Sequence, residues 1–140
     1  MARDEKLDLL RTVPLFTGLG ERELERISTL ADVVDLPADR ILTTQGQLGW
    51  EMFILVDGRA GVERDGQRIN EVGPGEVIGE IALLDGGPRT ATVTLTEPSR
   101  LLVLARREFQ ALMDEFPDIR LRVLEAVAHR LRALDVDHIH

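Results

Sequence analysis

Gly75-Glu76-Val77-Ile78-Gly79-Glu80-Ile81-Ala82-Leu83-Leu84-Asp85-Gly86-Gly87-Pro88-Arg89-Thr90-Ala91-Thr92-Val93 is the stretch that breaks an otherwise regular rhythm of strands. It reads as a short strand, a break at Gly79, a helical turn over Ile81–Leu84, a tight Gly-Gly-Pro connection, and Arg89 opening the next strand. A helical turn inserted in a sheet offers unpaired backbone N–H groups to an anion. Gly79 removes the Cβ that would block close approach. Arg89, fixed by Pro88, can place two N–H bonds on a phosphate. An ionised Glu80 only accepts hydrogen bonds, so its natural partner is a hydroxyl pair or the arginine itself. Together these groups suit a ligand with one phosphate and a sugar hydroxyl.

Around this stretch, from Val33 to Ala105, short apolar segments recur every eight to twelve residues between Gly, Pro and Asp-Gly. That spacing predicts a sandwich or barrel. The strands are placed at Val33–Leu36, Ile41–Thr44, Met52–Val56, Ala60–Arg64, Gln67–Val72, Glu76–Ile78, Ala91–Thr96 and Arg100–Ala105. Asp65-Gly66 is the strongest hairpin signal, because a type I′ turn needs positive φ at both central residues. Ala, Val and Leu alternate with Thr over Ala91–Thr96, the pattern of a half-buried strand. Eight strands, with ten glycines between Gly46 and Gly87, suit a small jelly roll.

Both flanks read as helical. Glu21–Ala31 sets Leu24, Ile27, Leu30 and Ala31 on one face with Gly20 as N-cap. Pro14 separates it from a short helical segment at Leu7–Arg11, and Phe16 is expected to pack underneath. Downstream, Phe109, Leu112, Met113 and Phe116 follow i, i+3, i+4, i+7 until Pro117 interrupts, since the residue before a proline avoids the helical region. Asp118–Leu134 then carries Leu124, Val127, Leu131 and Leu134 at alternating 3,4 spacing, expected to be core or, failing that, a dimer seam. The fold class is therefore α+β, an eight-stranded antiparallel β jelly roll (double-stranded β-helix) with N-terminal helices and two C-terminal helices. The segments are 1–32, 33–105 and 106–135 of a single domain over 1–140.

Composition narrows the chemistry. The 140 residues contain no cysteine and carry a net charge of −8, from 17 basic and 25 acidic residues. Disulfides, Cys-ligated zinc, iron–sulfur clusters and cysteine nucleophiles are excluded. The longest apolar runs, Met52–Val56 and Leu101–Ala105, have five residues, far short of the roughly 20 a membrane span needs. Met1–Lys6 is charged and leads into no apolar core of a secretory signal, so a cytoplasmic location is expected. All of the −8 lies in Met1–Ser99, which disfavours nucleic acid as the main partner. His129, His138 and His140 crowd the last twelve residues and are expected to be solvated, with no metal site.

The quoted stretch resembles the phosphate-binding cassette of the cyclic nucleotide-binding domains found in bacterial catabolite activators, cyclic-nucleotide-dependent kinase regulatory subunits and cyclic-nucleotide-gated channels. The family pattern Phe-Gly-Glu-(Leu/Ile)-Ala-Leu, a variable loop, then Pro-Arg-(Thr/Ala)-Ala-(Thr/Ser)-Val is matched by 78–83 and 88–93 within a cassette over 78–93. The resemblance extends to Val13-Pro14-Leu15-Phe16, Gln45-Gly46, Gly58 and Phe116-Pro117. A linked pattern of this kind is specific where a lone Pro-Arg is not. It departs at Ile78, where Phe is usual, and at Trp50, where a small or acidic residue is common. Ile78 is expected to be structural and Trp50 a surface or partner contact.

The resemblance implies a non-enzymatic sensor that binds cyclic AMP in preference to cyclic GMP and needs no further cofactor. Glu80 would accept from the ribose 2′-OH and Arg89 would pair with the cyclic phosphate. Gly79, Ile81 and Ala82 would present backbone groups, and Thr90 could reach the phosphate or a syn guanine. Val62 and Val72 would flank the purine, with Arg130 and Leu134 of the last helix capping it. Binding would be relayed through the C-terminal helices to an effector protein or fused domain not visible in this chain, with a homodimer through the last helix as a further expectation. Blander readings stand beside these: Arg89 tying Glu80 across a turn, Thr90 as a β-branched strand residue, Arg130 as a solvated helix arginine. Two other functions compete. One is an interaction domain of the same fold that answers to no nucleotide. The other is a cupin-like metal enzyme, weakened because 33–105 contains no histidine.

Overall fold

Asp65 and Gly66 take φ of 54° and 80°, the two positive values that a type I′ hairpin requires. They turn β4 (Ala60–Arg64) back on β5 (Gln67–Val72). The computed structural model describes residues 3–79 and 86–138, with backbone only at 3, 4, 126, 130, 131 and 133–138. Its other strands are β1 (Asp32–Leu36), β2 (Ile41–Thr43), β3 (Glu51–Asp57), β6 (Val77–Ile78), β7 (Thr92–Leu95) and β8 (Ser99–Ala105). Every predicted strand is present, with ends that move by one residue at most. They form two four-stranded sheets, β1-β8-β3-β6 and β2-β7-β4-β5, and each pair is antiparallel.

The two five-residue apolar runs turn out to be neighbours. β3 and β8 pair along most of their length, with Met52 opposite Leu104 and Leu55 opposite Leu101. Each is buried on both faces, which is why neither alternates. Phe53, Leu55 and Leu101 point into the roll with Ala60, Val72, Ile78, Val93 and Leu95. Met52, Ile54, Leu102 and Leu104 point the other way, into a second core built with the helices.

That second core holds α1 (Arg3–Thr12), a 3₁₀ turn at Pro14–Phe16, α2 (Glu21–Leu30), α3 (Arg106–Glu115) and the start of α4 (Pro117–His138). Phe16 is buried beneath the turn, as its position predicts. Gly20 is the N-cap of α2, in extended conformation and without a side-chain cap bond. Phe116 ends α3 with φ −128° and ψ 95°, the extended geometry a following proline imposes.

The face of α4 requires a correction. Among its described side chains Ile119 and Val123 are the buried ones, whereas Leu124 is 53% exposed, Leu121 is 56% exposed and Val127 is only half-buried. The side chains of Leu131 and Leu134 lie outside the described set. The helix docks by its first turns against α3 and the 3₁₀ turn. An i, i+4 pair one residue away from the expected stripe, about 100° round the helix, makes that contact. No described helix is long and apolar enough to cross a membrane.

Candidate functional site

Arg89 sits just before β7 and is 6% exposed. Its backbone is clamped to the loop between β2 and β3: its N–H donates to the Gln47 carbonyl at 2.8 Å, and its carbonyl accepts from Gly46 N–H at 2.9 Å. The guanidinium reaches across that loop. Nη2 donates to the Glu51 carbonyl at 2.6 Å and Nη1 to the Gly79 carbonyl at 3.2 Å. These bonds join three segments far apart in sequence, the cassette strand β6 with its following glycine, the start of β3, and the lead-in to β7.

Two glycines make room for this side chain. Gly79 has φ 88°, a conformation an L side chain resists, and a Cβ there would overlap Arg89 Nη1 and stand 3.3 Å from the Glu51 carbonyl. A Cβ at Gly49 would overlap Arg89 Nε. Gly79 is read from sequence as an approach glycine. Gly49 is not, because a loop glycine looks like any other turn residue until the arginine beneath it is seen.

Burial lowers the pKa of Arg89 below its ordinary value, and the nearby Glu51 carboxylate partly offsets this. The acceptors bonded to the guanidinium are neutral carbonyls. They occupy two of its five N–H donors but cancel no charge, so an anion brought here meets a desolvated, oriented cation.

The other predicted residues fall as follows. Glu80, Ile81 and Ala82, with the expected turn at Ile81–Leu84, lie outside the described residues. Thr90 is exposed, and its carbonyl accepts from Arg64 Nε at 3.1 Å. Val62 is half-buried on β4 and packs against the roll core, of which Val72 on β5 is a buried member. Arg130 and Leu134 are backbone positions of α4 whose side chains are not described. Ile78 is buried opposite Phe53, so its departure from Phe is a core matter, as expected. Trp50 is 61% exposed. Among the described residues, no group of His, Asp and Glu could hold a metal ion. A cleft of about 870 Å³ lined by Leu9, Asp35, Val56, Asp57 and Arg100 lies elsewhere and contains none of the predicted site residues.

The family model for the cyclic nucleotide-binding domain matches residues 33–116, which is the whole roll together with α3. The chain belongs to the cyclic nucleotide-binding domain family. Its similarity to a cyclic nucleotide-gated potassium channel of Rhizobium etli is 34% identity over 122 residues, 87% of this chain and 34% of the channel. With the cyclic AMP receptor protein of Thermus thermophilus it is 31% identical over 129 residues, 89% of this chain and 60% of that protein. The crystal structure of the Thermus thermophilus catabolite activator protein superposes with a TM-score of 0.81 at 31% identity, covering 89% of this chain and 61% of that one. The domain thus spans between about a third and three fifths of the relatives it matches. This membership bears out the jelly-roll expectation and the resemblance read from the cassette.

Proposed function

We propose that this domain is a non-enzymatic sensor of a cyclic nucleotide, cyclic AMP in preference to cyclic GMP. The observation that carries the reading is Arg89: a buried guanidinium, charged, aimed by two backbone carbonyls and overlaid by Gly49 and Gly79. A cyclic phosphate would complete its fork. Gly79, Ile81 and Ala82 would add backbone donors, Glu80 would take the ribose hydroxyl, and Thr90 would stand at the edge. Val62 and Val72 would border the purine, with Arg130 and Leu134 closing over it. The preference for cyclic AMP rests on the Thermus receptor protein, whose name states that ligand.

The relay would run from the cassette to α3 and α4 through the Phe116-Pro117 joint, shifting an equilibrium only by the ligand's differential affinity for its two arrangements. The exposed Leu121 and Leu124 suit pairing of α4 with a second copy or an effector. A cytoplasmic location, where such a ligand would be met, belongs to the same reading.

Calorimetry with cyclic AMP and cyclic GMP on the wild type and Arg89→Ala tests the site. Breaking a buried charge pair costs about 2–5 kcal/mol, so affinity for cyclic AMP should fall by at least about thirtyfold. Undiminished affinity in the variant would remove Arg89 from the site. No heat with either nucleotide would leave Arg89 as a strut holding the roll together, and the domain as an interaction module.

A further inference from the structure

Beside the cassette lies a patch that nucleotide binding does not use. Leu48 and Trp50, on the loop between β2 and β3, are 62% and 61% exposed. Trp50 borders a cleft of about 410 Å³ together with Ala105, Arg106, Arg107 and Gln110 at the start of α3. The Arg106 N–H donates to the Trp50 carbonyl at 2.7 Å. Arg106 Nε is buried without a hydrogen-bond partner. Among the described residues, neither Arg106 nor Arg107 joins an ion pair.

We infer that this patch docks an acidic segment of a partner protein anchored by an apolar side chain, and that its occupancy is linked to nucleotide at Arg89. The inference rests on the nucleotide reading above for its second half only. Tryptophan and arginine are the residue types that most often anchor protein interfaces. An arginine pair takes carboxylates by bidentate contact, and Trp50 with Leu48 offers an apolar seat beside it. The domain's −8 charge argues against an anionic membrane or nucleic acid, whose extended charge would meet that background at long range. A short acidic peptide feels chiefly the side chains it touches, and those lining the cleft include Arg106 and Arg107 but no carboxylate. The footprint is small, which suits a weak and switchable contact.

The link to the site is mechanical. The loop carrying Leu48 and Trp50 is bonded to the Arg89 backbone at Gly46 and Gln47, and Gly49 lies on the Arg89 guanidinium. On the other side, the Arg106 guanidinium packs against Gly86, where a Cβ would stand 2.9 Å from Nη2. Moving Arg89 toward a phosphate would therefore move the loop that forms one wall of the patch.

The test is a displayed library of random peptides, selected on the full chain with and without saturating cyclic AMP. The tightest binders should carry Asp or Glu next to a Leu or aromatic residue. Their affinity should fall roughly tenfold or more for Trp50→Ala and for Arg107→Glu, while Arg107→Glu keeps its affinity for cyclic AMP. It should also differ at least about threefold between the free and nucleotide-bound chain, with the same factor appearing in nucleotide affinity when peptide is present. Binders without acidic residues, or binders that hold all three chains equally, would overturn the docking surface. If calorimetry shows cyclic AMP bound but peptide affinity is indifferent to it, the link to Arg89 falls. If calorimetry shows no nucleotide bound, the nucleotide reading and the link fall together, and the variants still decide the surface.

Discussion

The Arg89 guanidinium and the Glu51 carbonyl, 38 residues apart in sequence and 2.6 Å apart in space, tie the group proposed to meet the phosphate to an inner strand of the roll. Glu51 opens β3, which is buried on both faces between the roll and the helices. The arginine that would meet ligand is therefore held at the start of a strand packed on both faces. Its pairing with neutral acceptors leaves the positive charge uncompensated by those bonds, the condition under which a phosphate gains most from arriving.

Gly49→Ala should separate ligand affinity from fold. The added methyl would overlap Arg89 Nε, and the end of a side chain moves more easily than backbone. The chain should stay folded, with a loss of about 1–3 kcal/mol from overpacking and a displaced guanidinium. Affinity for cyclic AMP should drop by tenfold or more, read by calorimetry alongside a thermal melt. A variant that binds like wild type would show that Arg89 does not need its present position.

Trp50 gives an optical report of the same site. It is the chain's one tryptophan, and there is no tyrosine, so fluorescence excited at the indole band arises from Trp50 alone. Its loop is bonded to Arg89 on both sides of the chain direction, through Gly46 and Gln47. Cyclic AMP should shift or quench the emission saturably in wild type, and Arg89→Ala should abolish the change at the same concentrations. A flat wild-type titration in the presence of calorimetric binding would show the loop to be decoupled from the ligand.

The strands were readable from sequence because two signals agree on them. Turn residues such as Asp65-Gly66 punctuate the chain, and apolar runs or alternation fill the intervals. Arg89 and Gly79 were readable because their chemistry resides in side-chain identity. Its partners were not: the Glu51, Gln47 and Gly79 groups that hold the arginine are backbone atoms that any residue would supply. The helix α4 was readable, but its buried face was not, for another reason. Its 3,4 spacing admits two apolar stripes, one through Ile119 and Val123 and one through Leu121 and Leu124, and only the docking of the helix chooses between them.

Acid should act through Asp35. Arg100 donates to it at 2.8 and 3.2 Å across the β1–β8 pair. That hydrogen bond holds the Asp35 carboxyl below its ordinary 3.8 against an opposing effect of burial, with the Arg100 charge adding to the lowering. A carboxyl with a depressed folded pKa contributes stability above the unfolded value, and the contribution is lost as pH falls through the folded one. Urea melts of Asp35→Asn should therefore match wild type more closely below about pH 4 than at neutral pH. Added salt should narrow the neutral gap, since both partners are solvent-exposed. A gap that widens on acidification would contradict the pairing.

The two stripes of α4 make opposite forecasts. Val123 is 1% exposed against the core beside Phe109 and Leu112, as is Ile119. Ile119→Ala removes buried carbon from a packed site and should cost about 2–5 kcal/mol. Leu124→Glu replaces a side chain already 53% exposed, so the monomer's stability should stay within about 0.5 kcal/mol. The pair is best measured by denaturant melts at low concentration, then by sedimentation over a hundredfold range. If α4 pairs with a second copy through Leu121 and Leu124, Leu124→Glu weakens that association without changing the dilute melt. If Leu124→Glu instead costs as much as Ile119→Ala in the dilute monomer, α4 packs on the face the 3,4 stripe first suggested.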